Sequence, residues 1–103
     1  MKIREVNELS FDAEVLASNR PVLVDFGAAW CSPCRRMEPM LEALASERED
    51  VDIVKVDIET SPSIAQTYGV RGVPTLLLFR GGQPSARAVG LQPPSALRSM
   101  LDD

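Results

Sequence analysis

Short apolar runs alternate with amphipathic stretches along the chain, a pattern typical of strands that alternate with helices. Apolar runs predict strands at residues 3–6, 22–26, 51–58, 76–79 and 86–89. Capping residues and helical spacing predict four helices, which begin near Ser10, Arg35, Pro62 and Pro93. Because helices connect most of the strands, the sequence predicts an α/β fold.

The connections between these elements indicate how the strands pair. Helical crossovers join parallel neighbours, so we expect parallel pairing where a helix separates two strands. The Gly81-Gly82 pair predicts a hairpin that adds an antiparallel strand at one edge. The result is a central mixed sheet of four to five strands, flanked by four helices that cover both faces. The continuous apolar run at residues 22–26 is expected in the middle of this sheet.

Length and composition fit one domain, residues 1–103, with 45% hydrophobic residues to build a single core. The net charge is −4 and the basic residues are dispersed, so we expect neither nucleic-acid nor membrane binding. The first residues lack the apolar segment of a secretory signal, and no apolar run approaches transmembrane length. We therefore expect a cytoplasmic protein, in which a Cys-x-x-Cys pair is more often catalytic than structural.

Cys31 and Cys34 are the only cysteines, and they lie between a predicted strand and a predicted helix. Residues three apart at a helix start are close enough to form a disulfide. Such a short loop stabilises the fold by only about 2 kcal/mol, which suits a bond that is broken and remade. The helix N-terminus favours a thiolate at Cys31, and Pro33 fits the first turn, where its missing N–H is no loss. The pattern therefore predicts a redox dithiol, with Cys34 as the more buried, resolving thiol.

Three other interpretations of the pair compete with the redox site. A structural zinc site needs four nitrogen or sulfur ligands, whereas the chain has two Cys and no His, so we expect no metal unless two chains share one. A structural disulfide is disfavoured by the small loop. Two unreactive core cysteines are disfavoured by the neighbouring Trp30 and Pro33, but this interpretation stays open.

Asp25 and Lys55 are charged residues in the interior of predicted strands, and a proline falls inside a predicted helix. Asp25 interrupts the run at residues 22–26, and Lys55 lies within 51–58. A buried carboxylate is costly, so we expect Asp25 to be either paired or protonated. Pro39 lies in the helix after Cys34 and is expected to kink it.

Taken together, these residues resemble the thioredoxin family over essentially the whole chain. The specific signal is Trp30-Cys31 with Pro33-Cys34, followed about forty residues later by Val73-Pro74-Thr75 before an apolar strand. Further matches are residues 10–12, 23–26, 28, 39, 55–57, 68–76 and 90.

The resemblance implies a thioredoxin fold and a cytosolic protein-disulfide reductase. By analogy Cys31 attacks a substrate disulfide and Cys34 resolves the mixed disulfide. Asp25 would handle the proton of Cys34, with Lys55 as its partner. The family uses its own dithiol and no cofactor. Its implied partners are disulfide-containing proteins and a thioredoxin reductase, and the chain would act as a monomer.

The resemblance also implies a substrate-binding surface around the cysteines. Pro74 would be the family's cis-proline, and Val73 would offer backbone hydrogen bonds to an extended substrate segment. The remaining members of this surface would be apolar or small: Trp30, Gly72 and Gly90.

The chain departs from the family pattern at several positions near the cysteines. Gly27 stands where the family usually has a bulky aromatic residue, Ala29 where an acid or proline is common, and Ser32 where glycine is usual. With Pro33 and Pro39, Gly27 and Ser32 are expected to modulate the redox potential. The departures also motivate a competing hypothesis, a non-catalytic binding module that uses the same surface.

Overall fold

The computed structural model describes residues 3–102, which form a five-stranded mixed sheet with helices on both faces. The strands lie in the order β1-β3-β2-β4-β5. Their bounds are β1 Arg4–Glu5, β2 Val22–Gly27, β3 Asp52–Asp57, β4 Thr75–Arg80 and β5 Gln83–Val89. The helices are a short π-helix Asp12–Leu16, α1 Ser32–Glu47, α2 Pro62–Thr67 and α3 Pro94–Leu101. The predicted α/β class, strand number and helix number are confirmed.

Strand β2 is the centre of the sheet, and its side chains alternate between two cores. Val22, Val24 and Phe26 pack on one face, with apolar residues of the π-helix and α2. Leu23 packs on the other face, with apolar residues of α1 and α3. All of these β2 side chains are fully buried, as the continuous apolar run predicts.

The pairing of β4 differs from the prediction, because β4 runs antiparallel to β2 rather than parallel to a neighbour. The reason is the length of the connection. The six residues of α2 span only about 9 Å, whereas a six-residue strand spans about 20 Å. The chain therefore enters β4 at the end of the sheet where β3 leaves it, and Thr75 pairs with Phe26 near the C-terminal end of β2.

Two local predictions about turns and caps have opposite outcomes. Gly81 and Gly82 have φ values of 58° and 79°, so the predicted tight hairpin between β4 and β5 is confirmed. The prediction that Ser10 caps the first helix is wrong, because the N-cap residue is Phe11 and no side chain caps the helix. Asn7 instead holds the turn that precedes it. Asn7 Oδ1 accepts hydrogen bonds from the N–H groups of Leu9 and Ser10, at 2.9 and 3.1 Å.

Helix α1 begins at Ser32, one turn earlier than predicted, and it continues through Pro39 to Glu47. The earlier start places Cys31 directly at the N-terminus of the helix. The kink at Pro39 stays a prediction. Within residues 3–102, no helix combines the length and the apolar content needed to cross a bilayer.

Candidate active site

Cys31 and Cys34 form a disulfide at the N-terminus of α1, with their Cα atoms 5.3 Å apart. Cys31 is the N-cap residue, with extended backbone, and its Sγ accepts a hydrogen bond from the N–H of Cys34 at 3.2 Å. Both cysteines are buried, and they pack against Ala28 and Val73. Cys31 is 4% and Cys34 6% exposed, so the prediction that Cys34 is the more buried of the two is wrong for the disulfide form. A sulfur in the capping position receives the hydrogen bond that a serine or aspartate oxygen usually accepts, which stabilises a negative charge there.

The first turn of α1 adds positive rather than negative charge around Cys31. It contains no acidic residue, and Ser32 and Pro33 occupy its first two positions. The Arg35 guanidinium donates a hydrogen bond to the carbonyl of Ala29, which ties the helix to the preceding loop. The partial positive charge at the N-terminus of α1 is therefore not offset by an acidic residue in its first turn.

Asp25 is a buried carboxyl group in the middle of β2. It is 5% exposed, and its Oδ1 has no hydrogen-bond partner among the described residues. The pKa of Asp25 is raised to about 7, chiefly by burial and also by the negative charge of Glu38, while the positive charge of Lys55 lowers it. Asp25 therefore exchanges a proton near neutral pH, as a group that takes up and releases protons in a reaction must do.

Lys55 lies beside Asp25 but forms its ion pair with another residue. The two are register partners in the parallel pair β2–β3. The ammonium group of Lys55 lies 3.5 Å from Glu38 Oε2, so Glu38 is its ion-pair partner and Asp25 only feels its charge. The sequence analysis did not include Glu38 among the candidate site residues. The available signal was its spacing, since Glu38 follows Cys34 by four residues and so lies on the same side of the helix.

A cavity of about 300 Å³ joins these groups. Asp25, Gly27, Cys34, Glu38 and Lys55 are all part of its wall. A Cβ atom on Gly27 would lie 3.3 Å from Cys34 Sγ, so Gly27 lies directly against the second cysteine. The structure thus brings together four of the predicted site residues, Cys34, Asp25, Lys55 and Gly27, around one cavity.

The Val73–Pro74 peptide bond is cis and lies at the entrance to β4. Val73 packs directly on the cysteine cluster. The carbonyl of Pro74 accepts a hydrogen bond from the N–H of Gly90 at 2.8 Å, and the Thr75 hydroxyl donates one to the carbonyl of Gly72 at 2.6 Å. The segment at residues 72–74 therefore lies beside the disulfide, and a hydrogen bond connects it to Gly90.

Apolar side chains are exposed around this segment. Trp30 is 61% exposed, and its indole N–H donates a hydrogen bond to Glu59 Oε2 at 2.8 Å. Val89 and Leu91 flank Gly90 and are also largely exposed. The sequence analysis missed Glu59, Val89 and Leu91, although the two apolar residues adjoin a predicted site glycine. Pro39 lies outside this group and contributes to the groove between α1 and α3.

No cluster of three or more potential metal ligands occurs among residues 3–102. The acidic and basic groups near the disulfide are instead arranged around the sulfur atoms. The arrangement can carry out thiol–disulfide exchange, since it supplies a stabilised thiolate, a second sulfur and a proton acceptor.

Comparisons with known proteins agree with this chemistry. The thioredoxin family model matches residues 2–103. A thioredoxin of Mycobacterium tuberculosis is 46% identical over 100 residues, which cover 96% of this chain and 86% of the relative. A bifunctional thioredoxin reductase/thioredoxin of Mycobacterium leprae is 48% identical over 96% of this chain, which spans only 22% of that longer protein. A solved structure of a mutant thioredoxin from Halobacterium salinarum superimposes with a TM-score of 0.90 at 39% identity, covering 98% of this chain and 88% of that chain.

Proposed function

The chain belongs to the thioredoxin family of thiol–disulfide oxidoreductases, and we propose that it works as a reductase of disulfide bonds in other proteins, with Cys31 as the attacking thiolate. The observation that carries the proposal is the position of Cys31 Sγ, which caps α1 and accepts the N–H of Cys34. This environment favours the anion, which is the form of the sulfur that attacks.

The reaction proceeds through a mixed disulfide between Cys31 and the substrate. Cys31 forms a bond to one substrate sulfur, and the other substrate sulfur leaves as a thiolate. Cys34 then attacks Cys31 Sγ, closes the Cys31–Cys34 bond and releases the second substrate sulfur. The substrate gains two electrons, and the dithiol is oxidised to the disulfide.

Asp25 is the proton acceptor for Cys34 in this scheme. Both residues adjoin the same cavity, and a pKa of about 7 leaves part of Asp25 ionised at neutral pH. The cavity has room for water, and the polar side chains in its wall can hold a water molecule that carries the proton between the two groups. Lys55 acts through its charge, which keeps the pKa of Asp25 from rising further.

Substrate binds across Trp30 and the segment around the cis-proline. Among the described residues, no backbone hydrogen bond engages the N–H or carbonyl of Val73, so both are available to an extended peptide. Pro74 fixes the direction of this segment, and Gly72 and Gly90 leave room for the peptide to approach. Trp30 supplies apolar contact area next to Cys31.

A thioredoxin reductase returns the oxidised protein to the dithiol. The Mycobacterium leprae relative carries both activities in its name, which supports this partnership. The dithiol is the only redox group the scheme needs, so it requires no further cofactor. We place the protein in the cytoplasm, a reducing compartment in which the thiol form is maintained. We further propose that it acts as a monomer.

The reduction of insulin disulfides in the presence of dithiothreitol tests the proposal. Wild type should accelerate precipitation of the insulin B chain, and Cys31→Ser should abolish the acceleration. Cys34→Ser should accumulate a mixed disulfide on Cys31, visible by mass spectrometry. Equal rates for wild type and Cys31→Ser would overturn the proposal.

A further inference from the structure

The cavity beside Cys34 gives access to the second cysteine but not to the first. Gly27 and Cys34 form part of its wall, whereas Cys31 and Trp30 do not. A Cβ atom on Gly27 would lie 3.3 Å from Cys34 Sγ, so a side chain at this position would narrow the space beside that sulfur. Because residue 27 is glycine, the space next to Cys34 Sγ stays open.

The size of the cavity selects small molecules. A volume of about 300 Å³ lies at the lower end of the range for ligand sites, and a polypeptide segment does not fit into it. A compound of a few heavy atoms does fit. The protein substrates proposed above are therefore confined to the surface around Trp30 and Val73.

The charges in the cavity wall favour a cation. Four carboxyl groups adjoin it, compared with two basic side chains. Lys55 is paired with Glu38, and Arg35, which keeps its positive charge when it donates to the carbonyl of Ala29, offsets only one further carboxylate. Glu5 and Asp57 remain as carboxylates without a cationic partner among the described residues.

We propose that this cavity is a subsite for a low-molecular-weight thiol that carries an ammonium group, and that such a thiol reduces the oxidised pair by attacking Cys34. The proposal rests on the redox role of the Cys31–Cys34 pair stated above. It adds a second route of reduction that leaves the protein-binding surface uncovered.

Two thiol–disulfide exchange steps reduce the Cys31–Cys34 disulfide. The sulfur of the first thiolate bonds to Cys34 Sγ, the Cys31–Cys34 bond breaks, and Cys31 leaves as a thiolate. A second thiolate attacks the small-molecule sulfur of this mixed disulfide and releases Cys34, which takes up a proton. Two small thiols are thereby oxidised to one small disulfide, and the protein disulfide is reduced to two thiols.

The structure favours Cys31 as the leaving group in the first step. A sulfur that leaves as a stabilised anion departs faster. Cys31 Sγ lies at the N-terminus of α1 and accepts the N–H of Cys34, so the charge that develops on it is stabilised. The helix N-terminus therefore assists both reactions. It stabilises the Cys31 thiolate before Cys31 attacks a substrate, and it stabilises the same thiolate when Cys31 leaves after attack on Cys34.

Three small thiols with different charges test the proposal on the oxidised protein. Cysteamine, 2-mercaptoethanol and 3-mercaptopropionate are compared, with each rate expressed per concentration of thiolate. Trp30, the only tryptophan, reports reduction by its fluorescence. Cysteamine should exceed 3-mercaptopropionate by about tenfold, because the two differ by two unit charges near unpaired carboxylates. Acid quenching and mass mapping should place the first adduct on Cys34.

Two sets of variants test whether the cavity determines the reduction rates and the preference for the cationic thiol. Gly27→Leu should slow all three thiols, and Gly27→Ala, which adds a single methyl group, should slow them less. The double variant Glu5→Gln/Asp57→Asn should lose the preference for cysteamine and keep the rate with 2-mercaptoethanol. Glu49→Gln also removes a negative charge, but from an exposed residue outside the cavity wall, and it should leave every rate unchanged.

Three results would overturn the proposal: equal rates for the cationic and anionic thiols, a first adduct on Cys31, or undiminished rates in both Gly27 variants. The charge variants keep the test decisive if Gly27→Leu does not fold. Insulin reduction by the pre-reduced protein separates the two proposals. If it persists while the charge preference is absent, only the subsite is refuted, whereas its loss refutes the reductase as well.

Discussion

The ion pair between Lys55 and Glu38, with Nζ 3.5 Å from Oε2, lies beside the buried carboxyl group of Asp25. Lys55 is the register partner of Asp25 on the neighbouring strand, and Glu38 approaches from α1. The two charges of the pair act on Asp25 in opposite directions, since Glu38 raises its pKa and Lys55 lowers it. Burial is therefore the main cause of the pKa of about 7.

The raised pKa of Asp25 predicts that the free energy of unfolding falls as pH rises from about 4 to about 7. In this interval the unfolded carboxyl group is ionised while the native one keeps its proton, so rising pH favours the unfolded state. A pKa raised from 3.8 to about 7 corresponds to about 4 kcal/mol. Asp25→Asn should remove this loss, and its stability advantage over wild type should grow with pH to a few kcal/mol at about pH 8.

Urea unfolding of the oxidised proteins across this pH range provides the measurement. Asp50→Asn is a contrasting control, because the hydrogen bond from Arg48 lowers the pKa of Asp50. That variant should lose stability at neutral pH rather than gain it. Parallel pH profiles for wild type and Asp25→Asn would show that Asp25 is not the source of the slope.

Glu38→Gln should lower the pKa of Asp25. The substitution removes the negative charge that raises the pKa, and it leaves Lys55 without its ion-pair partner and so more available to Asp25. The acid limb of the pH profile for insulin reduction should move to lower pH by the same amount. Titration of the Asp25 carboxyl carbon by NMR gives the direct measurement. Glu42→Gln, an exposed change one turn further along α1, is the matched control, and an equal effect of both variants would contradict the assignment.

The sequence predicted the parts of the site that depend on local spacing. The structure has the Cys31–Cys34 pair at a helix start, as the sequence predicted. Three features indicated this position: the spacing of the two cysteines, Pro33 in the first turn and the strand that precedes them. The two-faced sheet follows from the continuous apolar run in β2. These features depend on neighbours within a few residues, so a linear pattern contains them.

The features that the sequence analysis missed depend on contacts between distant segments. The ion pair of Lys55 joins β3 to α1, and charge alternation along either element does not indicate its partner. The antiparallel course of β4 follows from the short α2, since the helix is too short to return the chain to the other end of the sheet. The hydrogen bond between Trp30 and Glu59 likewise joins two loops.

Gly27→Ala should raise the reduction potential, which makes the disulfide more oxidising. The added Cβ lies 3.3 Å from Cys34 Sγ in the disulfide form, a close contact that the reduced thiol relieves by rotating away. A destabilisation of the oxidised form by about 1.4 kcal/mol raises the potential by about 30 mV. Equilibration with glutathione redox buffers measures the potential. Gly27→Trp should change it too, because that side chain affects the two redox forms unequally, and unchanged potentials in both variants would refute the role of Gly27.

The hydrogen bond from the Trp30 indole to Glu59 should hold the exposed ring in position for protein substrates. Glu59→Ala removes the acceptor at 2.8 Å and frees the ring. Because both groups are exposed, we expect a loss of stability below about 1 kcal/mol. The ordering of the free ring upon binding should instead raise KM for insulin about twofold to fivefold, with little change in kcat. Glu59→Gln keeps an acceptor oxygen and should retain a KM close to that of wild type. If the alanine variant keeps the wild-type KM as well, or if kcat falls in its place, Trp30 does not depend on Glu59 for substrate contact.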